Sequence, residues 1–476
     1  MQTPTRIQPH FVGLEKPPQL SWYDYAIMLL QIGASIEHAL MVQYLYAAYS
    51  LRDKPEQATW RKSLLTIARE EMGHLLTVQN ILTLMGGAFN LDRGDYPWDV
   101  PFEACPFRLE RLTQGSLACY VYAEMPPDKE GDPELEKIKE VANRHVRKTS
   151  ENRHTLYGGH VGHVGTLYDH VIKILGDRDL VPDVCFKNGK VGQFSWDEWG
   201  RNYRGENAED PNDGPRANVL IRKVATREEA LIALAELSEQ GEGLVAVEKG
   251  LGDTDILQNL GPNIPKFDAA THFERFLKIY RELGERDADQ FSWKVPDNPT
   301  IDHSTDHGPE LDGRTRIEND RSFRWAGLFN LRYRMLLAWL AHALMLVRSE
   351  PSASSHLCGQ IVHRVFGEMY NMKAIAELLV KMPLTNNADD LKAGPPFEMP
   401  FRTPLPPNHR DAWEIHKAAL AAARKLSDDL LKGEPPKIMG QWHHEIDNPA
   451  IPYLHAMMQA DGDADQWIDD ILAGLR

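Results

Sequence analysis

The chain has 476 residues, with 69 acidic against 53 basic side chains, a net charge of -16 and 42% hydrophobic residues. An acidic chain without a basic patch is not expected to bind DNA or RNA, because covering phosphates requires clustered cations. The composition is that of a globular protein, long enough for two or three domains or for one large helical core.

Cys105, Cys119, Cys185 and Cys358 are scattered and form no Cys-x-x-Cys pair, which argues against a thiolate zinc site and points to a reducing compartment. Met1 to Leu20 is a polar, Pro-rich extension without the basic-then-apolar pattern of a secretory signal, so a cytoplasmic location is expected. Ser21, with Asp24 three residues on, opens a helix that runs to about Ser50. Its Tyr25–Tyr49 stretch is long and apolar enough to span a bilayer. Gln31, Glu37, His38 and Gln43 within it point instead to a buried bundle helix and against a membrane.

A second helix starts at Pro55 and stops at Gly86-Gly87. Ala88 to Phe107, rich in Pro, Asp and Gly, has the length of a crossover along a bundle. A third helix is expected from Leu109 to Glu124, and a long, His-rich fourth from Pro133 to Leu175. Residues 180–224 read as an irregular excursion with short strands near Val191 to Trp196. Helices follow at Thr226–Gln240, Asp268–Leu283, Trp325–Arg348, His356–Met382 and Asp411–Lys432, with His443 and His444 in a late exposed loop. The expected class is mainly α, a four-helix bundle with a crossover and additional C-terminal helices. The chain divides into an extension (1–20), the bundle with its excursion (21–290) and a C-terminal helical region packed on it (291–476).

The chemistry concentrates in the first two helices. Leu30, Gly33, Ala34, Leu40, Met41 and Tyr44 share a face with Glu37, so this carboxylate interrupts an apolar stripe. A carboxylate there must be neutralised, paired or bound to a metal; a core salt bridge and a ligand role are equally open for this residue alone. Leu64, Ile67, Ala68, Leu75 and Val78 likewise surround Glu71, and His74 is its i+3 neighbour. A Glu–His pair facing a Glu on the preceding antiparallel helix favours ligation of iron, manganese or zinc. Glu70, one step round the helix, reads as a surface residue. Further candidates are Glu124 at the end of the third helix and His163 on the fourth. His160 and His170 on the fourth, and Glu239, Glu242 and His272 beyond it, complete the set, each more readily explained as structural when taken alone. Tyr44 and Tyr168 are phenols near these positions.

Several segments resemble the ferritin-like family of iminophenyl-pyruvate dimer synthases, which includes the ferritin-like part of violacein and chromopyrrolate biosynthesis proteins. They are Glu37-His-Ala-Leu-Met-Val-Gln-Tyr, Ile67-Ala-Arg-Glu-Glu-Met-Gly-His-Leu, Glu239-Gln-Gly-Glu-Gly, His272-Phe-Glu-Arg-Phe and Ala393-Gly-Pro-Pro-Phe, spread over about Trp22 to Phe397. The resemblance implies Glu37, Glu71, His74, Glu242 and His272 as metal ligands. It also implies iron, as one or two ions, as the expected metal, with haem admitted by family analogy although no Cys-x-x-Cys-His motif exists. Thr166 stands where the family carries a carboxylate, and His163 or Asp169, about one turn away, would have to compensate. The implied activity is oxidative coupling of imines derived from aromatic α-keto acids, with a small-molecule partner and a homo-oligomer left open. The rival expectations are a non-catalytic or auxiliary metal protein and a scaffold whose polar core is structural only.

Overall fold

The computed structural model describes residues 16–98, 107–126, 129–150, 163–195, 209–210, 214–215, 219–241, 270–302, 313–349, 355–387, 390–399, 405–432 and 442–474. Eleven helices lie among them: α1 (Trp22–Ser50), α2 (Pro55–Met85), α3 (Gln114–Ala123), α4 (Pro133–Ser150), α5 (Gly165–Gly176), α6 (Arg227–Gly241), α7 (His272–Leu283), α8 (Asp320–Ser349), α9 (Ser355–Leu379), α10 (His409–Lys432) and α11 (Trp442–Gly474). Strand is confined to pairs of two residues, Glu209–Asp210 against Gly214–Pro215 and Pro299–Thr300 parallel to Thr315–Arg316.

The Ser21 hydroxyl caps α1 by accepting the Asp24 N–H at 3.0 Å. Pro55 opens α2, and Gly86, at φ +82°, closes it in the left-handed conformation. A four-residue connection folds α1 and α2 into an antiparallel hairpin with the most extensive packing in the molecule. Although α1 is long and apolar enough to cross a membrane, it is mostly buried within this packing.

The crossover after α2 lies along α1, and it accounts for most of the polar groups there. Ser35 donates to the Asp92 carbonyl (2.8 Å), the His38 Nδ1–H to Leu91 (2.9 Å) and Gln43 to Arg108 (3.0 Å). Buried carbonyls without such donors would cost free energy. Thr113 and Ser116 cap α3 reciprocally.

The remaining bundle helices are broken. The expected single helix from Pro133 to Leu175 does not form as one element: α4 packs against α3, and His163 and Val164 lie outside any helix. The Val164 N–H donates to the Ala123 carbonyl at 3.0 Å, so α5 begins where α3 stops. α6 pairs with α5 and α7 with α3, so a second broken helix runs back along the first. Residues 191–195 form no strand. Residues 219–222 instead cross α2, where Thr77 Oγ1 donates to the Leu220 carbonyl at 2.8 Å.

The C-terminal helices form a second layer in which α8 packs against α9 and α10, and α11 against α10 and α9. Residues 442–448, expected as a loop, begin α11. Arg332, fully buried, binds Asp461 through both terminal nitrogens (2.7 and 2.6 Å) and Glu368 at 3.3 Å. Tyr333 ties the layers together through His38 Nε2 at 2.6 Å.

Gly73 marks the crossing point of 219–222 over α2. A Cβ there would lie 2.6 Å from the Leu220 nitrogen and 2.7 Å from its carbonyl oxygen. Alanine normally stabilises a helix interior over glycine by about 1 kcal/mol. Here the backbone clash reverses the sign, and Gly73→Ala is expected to lower stability by about 1–2 kcal/mol, an overpacking cost. Chemical denaturation measures this, and an unchanged or raised midpoint would contradict the crossing geometry.

Candidate metal centre

Glu37 on α1, Glu71 and His74 on α2, Glu124 at the end of α3 and His272 at the start of α7 converge in the bundle core, each at most 3% exposed. The two helix breaks lie at this level, so helix ends contribute Glu124 and His272 where continuous helices would pass. Small residues allow the approach: a Cβ on Gly241 would come within 3.0 Å of Glu124 Oε2.

Glu71 is shared by both imidazoles. Its Oε2 lies 2.8 Å from His74 Nδ1 and its Oε1 lies 3.1 Å from His272 Nδ1. Glu37 Oε2 is 3.5 Å from His74 Nδ1, and Glu124 Oε2 is 3.9 Å from His272 Nδ1. Two trios result, Glu37–Glu71–His74 and Glu71–Glu124–His272, whose donor atoms lie within 4.8 Å of one another in each trio. The imidazole rings stack with centroids 5.5 Å apart.

Both histidines are tied from behind by Nε2. His74 Nε2 meets Gln240 Oε1 at 2.9 Å, which requires the proton on that nitrogen. His272 Nε2 meets Glu70 Oε2 at 3.1 Å, and Arg275 holds the same carboxylate at 2.6 Å. With Nε2 donating outward, each neutral ring presents its Nδ1 lone pair to the cluster, the arrangement of histidines fixed for metal ligation. Phenols hold the outer carboxylate oxygens: Tyr44 donates to Glu124 Oε1 at 2.6 Å, and Tyr168 donates to Glu37 Oε1.

Burial and the neighbouring Glu71 push Glu37 and Glu124 up to about 7. Glu71 itself is held well below the usual carboxylate range, against burial, by His272 and His74. His272 is raised to about 9, against burial, chiefly by Glu71. Glu71 Oε1 and His272 Nδ1 face each other, yet neither atom makes a hydrogen bond among the described residues. Three carboxylates and two inward Nδ1 atoms with such orphans fit a divalent or trivalent transition metal. The free space among them is about 20 Å³, of the size of one water-sized occupant and far too small for a haem.

The structure thus brings together five of the residues singled out in the sequence: Glu37, Glu71, His74, Glu124 and His272. Glu242 lies outside the described residues. His163 is not brought in: its Nδ1 bonds the Tyr122 carbonyl at 3.0 Å and its Nε2 faces Glu130. Thr166 and Asp169 do not line the cluster either. Glu70, read as a surface residue, is fully buried beneath His272. Arg275, spaced i+3 from His272, and Gln240, within the Gln-Gly-Glu segment, carried the signal for these outer contacts.

A helical bundle that gathers carboxylates and imidazoles at its core is compatible with a metal site. The chain belongs to the Ferritin-like family, whose model matches residues 30–281. A relative of known name, dichlorochromopyrrolate synthase of Lentzea aerocolonigenes, is 25% identical over 417 residues, covering 78% of this chain and 36% of that protein. The chain therefore spans little more than a third of that relative's length. No solved structure matches the chain significantly.

Glu37 and Glu124 are raised in the folded state, so they favour folding while protonated. That contribution is complete below the ordinary carboxylate range and is lost as pH rises through about 7. Chelator-treated protein is expected to lose thermal stability between about pH 5 and pH 7, and Glu37→Gln/Glu124→Gln to flatten that slope. Melting temperatures across this range are the check, and a rising profile in the wild type would overturn the assignment.

Proposed function

We propose that the chain is a metal-dependent, ferritin-like oxidoreductase whose centre holds iron between Glu37, Glu71, His74, Glu124 and His272. The observation that carries the reading is Glu71, whose two oxygens address two different inward-turned imidazoles. Glu37 and His74 on one side of Glu71, and Glu124 and His272 on the other, would hold the metal, as one or two ions. Bound iron would supply one-electron redox chemistry and activation of an oxidant.

The protein's own contribution is positional. Gln240 and the Glu70–Arg275 pair fix the imidazole orientation, while Tyr44 and Tyr168 hold protons against the outer carboxylate oxygens. Burial of the whole cluster excludes bulk water and strengthens each of these contacts. For the substrate we propose a small, aromatic, amino-acid-derived molecule, coupled oxidatively as an imine. The resemblance of the Glu37, Glu71 and His272 segments to imine-coupling synthases supports this, as does the name of the Lentzea relative.

A second reading, a metal-binding or auxiliary protein without its own turnover, draws on the small space within the cluster, about 20 Å³. Metal analysis by mass spectrometry comes first. Glu71→Ala and His74→Ala are each expected to reduce bound iron at least tenfold, and full occupancy in both would refute the site. Glu70→Gln should weaken metal affinity by about 10–100-fold while leaving all proposed ligands in place. Turnover of an aromatic α-imino acid, compared with and without dioxygen, then decides between the two readings.

A further inference from the structure

A second polar construction lies in the C-terminal layer, remote from the carboxylates. His342, His416 and His409 form a hydrogen-bonded chain: His416 Nε2 to His342 Nδ1 at 3.1 Å, and His342 Nε2 to His409 Nδ1 at 3.2 Å. His409 Nε2 continues to Ser349 Oγ at 2.8 Å. His342 and His416 are almost completely buried, and the His416 ring stacks on Trp339 with centroids 3.5 Å apart and planes 5° from parallel.

Counting hydrogens gives this chain a direction. The Ser349 hydroxyl donates its only proton to the Met345 carbonyl at 2.9 Å, so Ser349 Oγ accepts from His409 Nε2–H. Burial keeps His342, lowered to about 3, and His416, lowered well below its ordinary range, neutral near pH 7. In the tautomer with its one proton on Nε2, His409 Nδ1 accepts from His342 Nε2–H, and His342 Nδ1 accepts from His416 Nε2–H. The chain ends at His416 Nδ1, a lone pair that takes no hydrogen bond among the described residues.

His416 also lines a cavity of about 590 Å³ between α8, α10 and the crossover segment, walled mainly by Phe89, Leu331, Met335, Met345, Met399 and Ile415. Such a volume is in the range of small-molecule sites, which pair an apolar wall with a few placed polar groups. We infer that this cavity is a ligand site for a small, flat, apolar molecule carrying one O–H or N–H donor, held by a hydrogen bond to His416 Nδ1. The Trp339 stack fixes the acceptor's plane, and the histidine chain fixes its tautomer. An apolar ligand without a donor gains only the burial term, and Asp92 and Arg334, which also line the cavity, are the charged groups a more polar ligand would meet.

The site is independent of the carboxylate cluster, and its test is run on the full-length, metal-loaded protein with p-cresol and toluene as matched probes. A second cavity of about 150 Å³ between α1, α2, α8 and α9, mainly apolar but also lined by His38, Arg69 and Lys373, could take either probe, so the readout must report on His416 itself. By calorimetry the wild type is expected to bind p-cresol at least tenfold tighter than toluene. His416→Phe, which keeps the stack on Trp339, should abolish that preference without altering metal content. In ¹⁵N-resolved imidazole spectra of the wild type, p-cresol should shift the His416 Nδ1 resonance while the Nε2–H tautomer persists. Equal affinities in the wild type, a preference that survives His416→Phe, or an unmoved Nδ1 resonance would each overturn the proposal. The spectral measurement keeps the test decisive if the variant fails to fold.

Discussion

The molecule is organised around one buried carboxylate that two imidazoles share. Glu71 can keep its charge in the core only because His74 and His272 face its two oxygens, and each histidine can face it only because something behind holds its other nitrogen. Those requirements explain why the bundle is built as it is. His74 comes from the same helix turn, which costs nothing in topology. His272 and Glu124 come from helix ends, and helix ends reach the core only if the third and fourth bundle helices are interrupted there. The breaks between α3 and α5 and between α6 and α7 are therefore part of the site.

How legible each residue was in the sequence follows from the same geometry. Glu37, Glu71 and His74 stand on uninterrupted helices, where the 3.6-residue period fixes which neighbours share a face. A polar group on an apolar stripe can then be read directly. Glu70 was misread because the period shows only that it leaves the Glu71 face, and not that α7 covers the next one with His272 and Arg275. His163 was attractive as part of a continuous helix, but the Val164–Ala123 hydrogen bond starts a new helix beyond it and leaves His163 bound to the Tyr122 carbonyl. The family resemblance brought His272 forward, since no local pattern pairs residues two hundred positions apart.

Glu37 and His38 are adjacent, both buried and both polar, yet they answer different demands. Glu37 turns inward to the cluster, whereas His38 turns outward to the Leu91 carbonyl and Tyr333. The first joins the carboxylates and imidazoles of the core cluster. The second satisfies the backbone of a crossover that runs along an apolar helix and joins the C-terminal layer to the bundle. Gln43 and Ser35 repeat that role. A helix apolar enough to suggest a membrane span is thus polar wherever a neighbouring chain segment needs a donor, which a bilayer would not require.

Three buried polar clusters can be compared by how each closes its balance of charges and hydrogen bonds. Arg332, Arg364, Glu368 and Asp461 balance in charge, two cations against two anions, although Arg332 Nε and Arg364 Nε take no hydrogen bond among the described residues. The histidine chain of the C-terminal layer closes at one end only: His409 is tied to Ser349, and His416 is left beside a cavity. The central cluster closes least well. Its three carboxylates face two imidazoles whose Nε2 atoms are engaged outward, and Glu71 Oε1 and His272 Nδ1, 3.1 Å apart, make no hydrogen bond among the described residues. It can be balanced by extra protons, which raise Glu37, Glu124 and His272 above their ordinary ranges. It can equally be balanced by cations of higher charge, which would displace those protons. Protons suffice to fold the chain, but they leave Nδ1 atoms aimed at carboxylates in trios that share a bridging residue. Cations use every donor in the direction it already points, and for that reason the central cluster, alone of the three, reads as a metal centre.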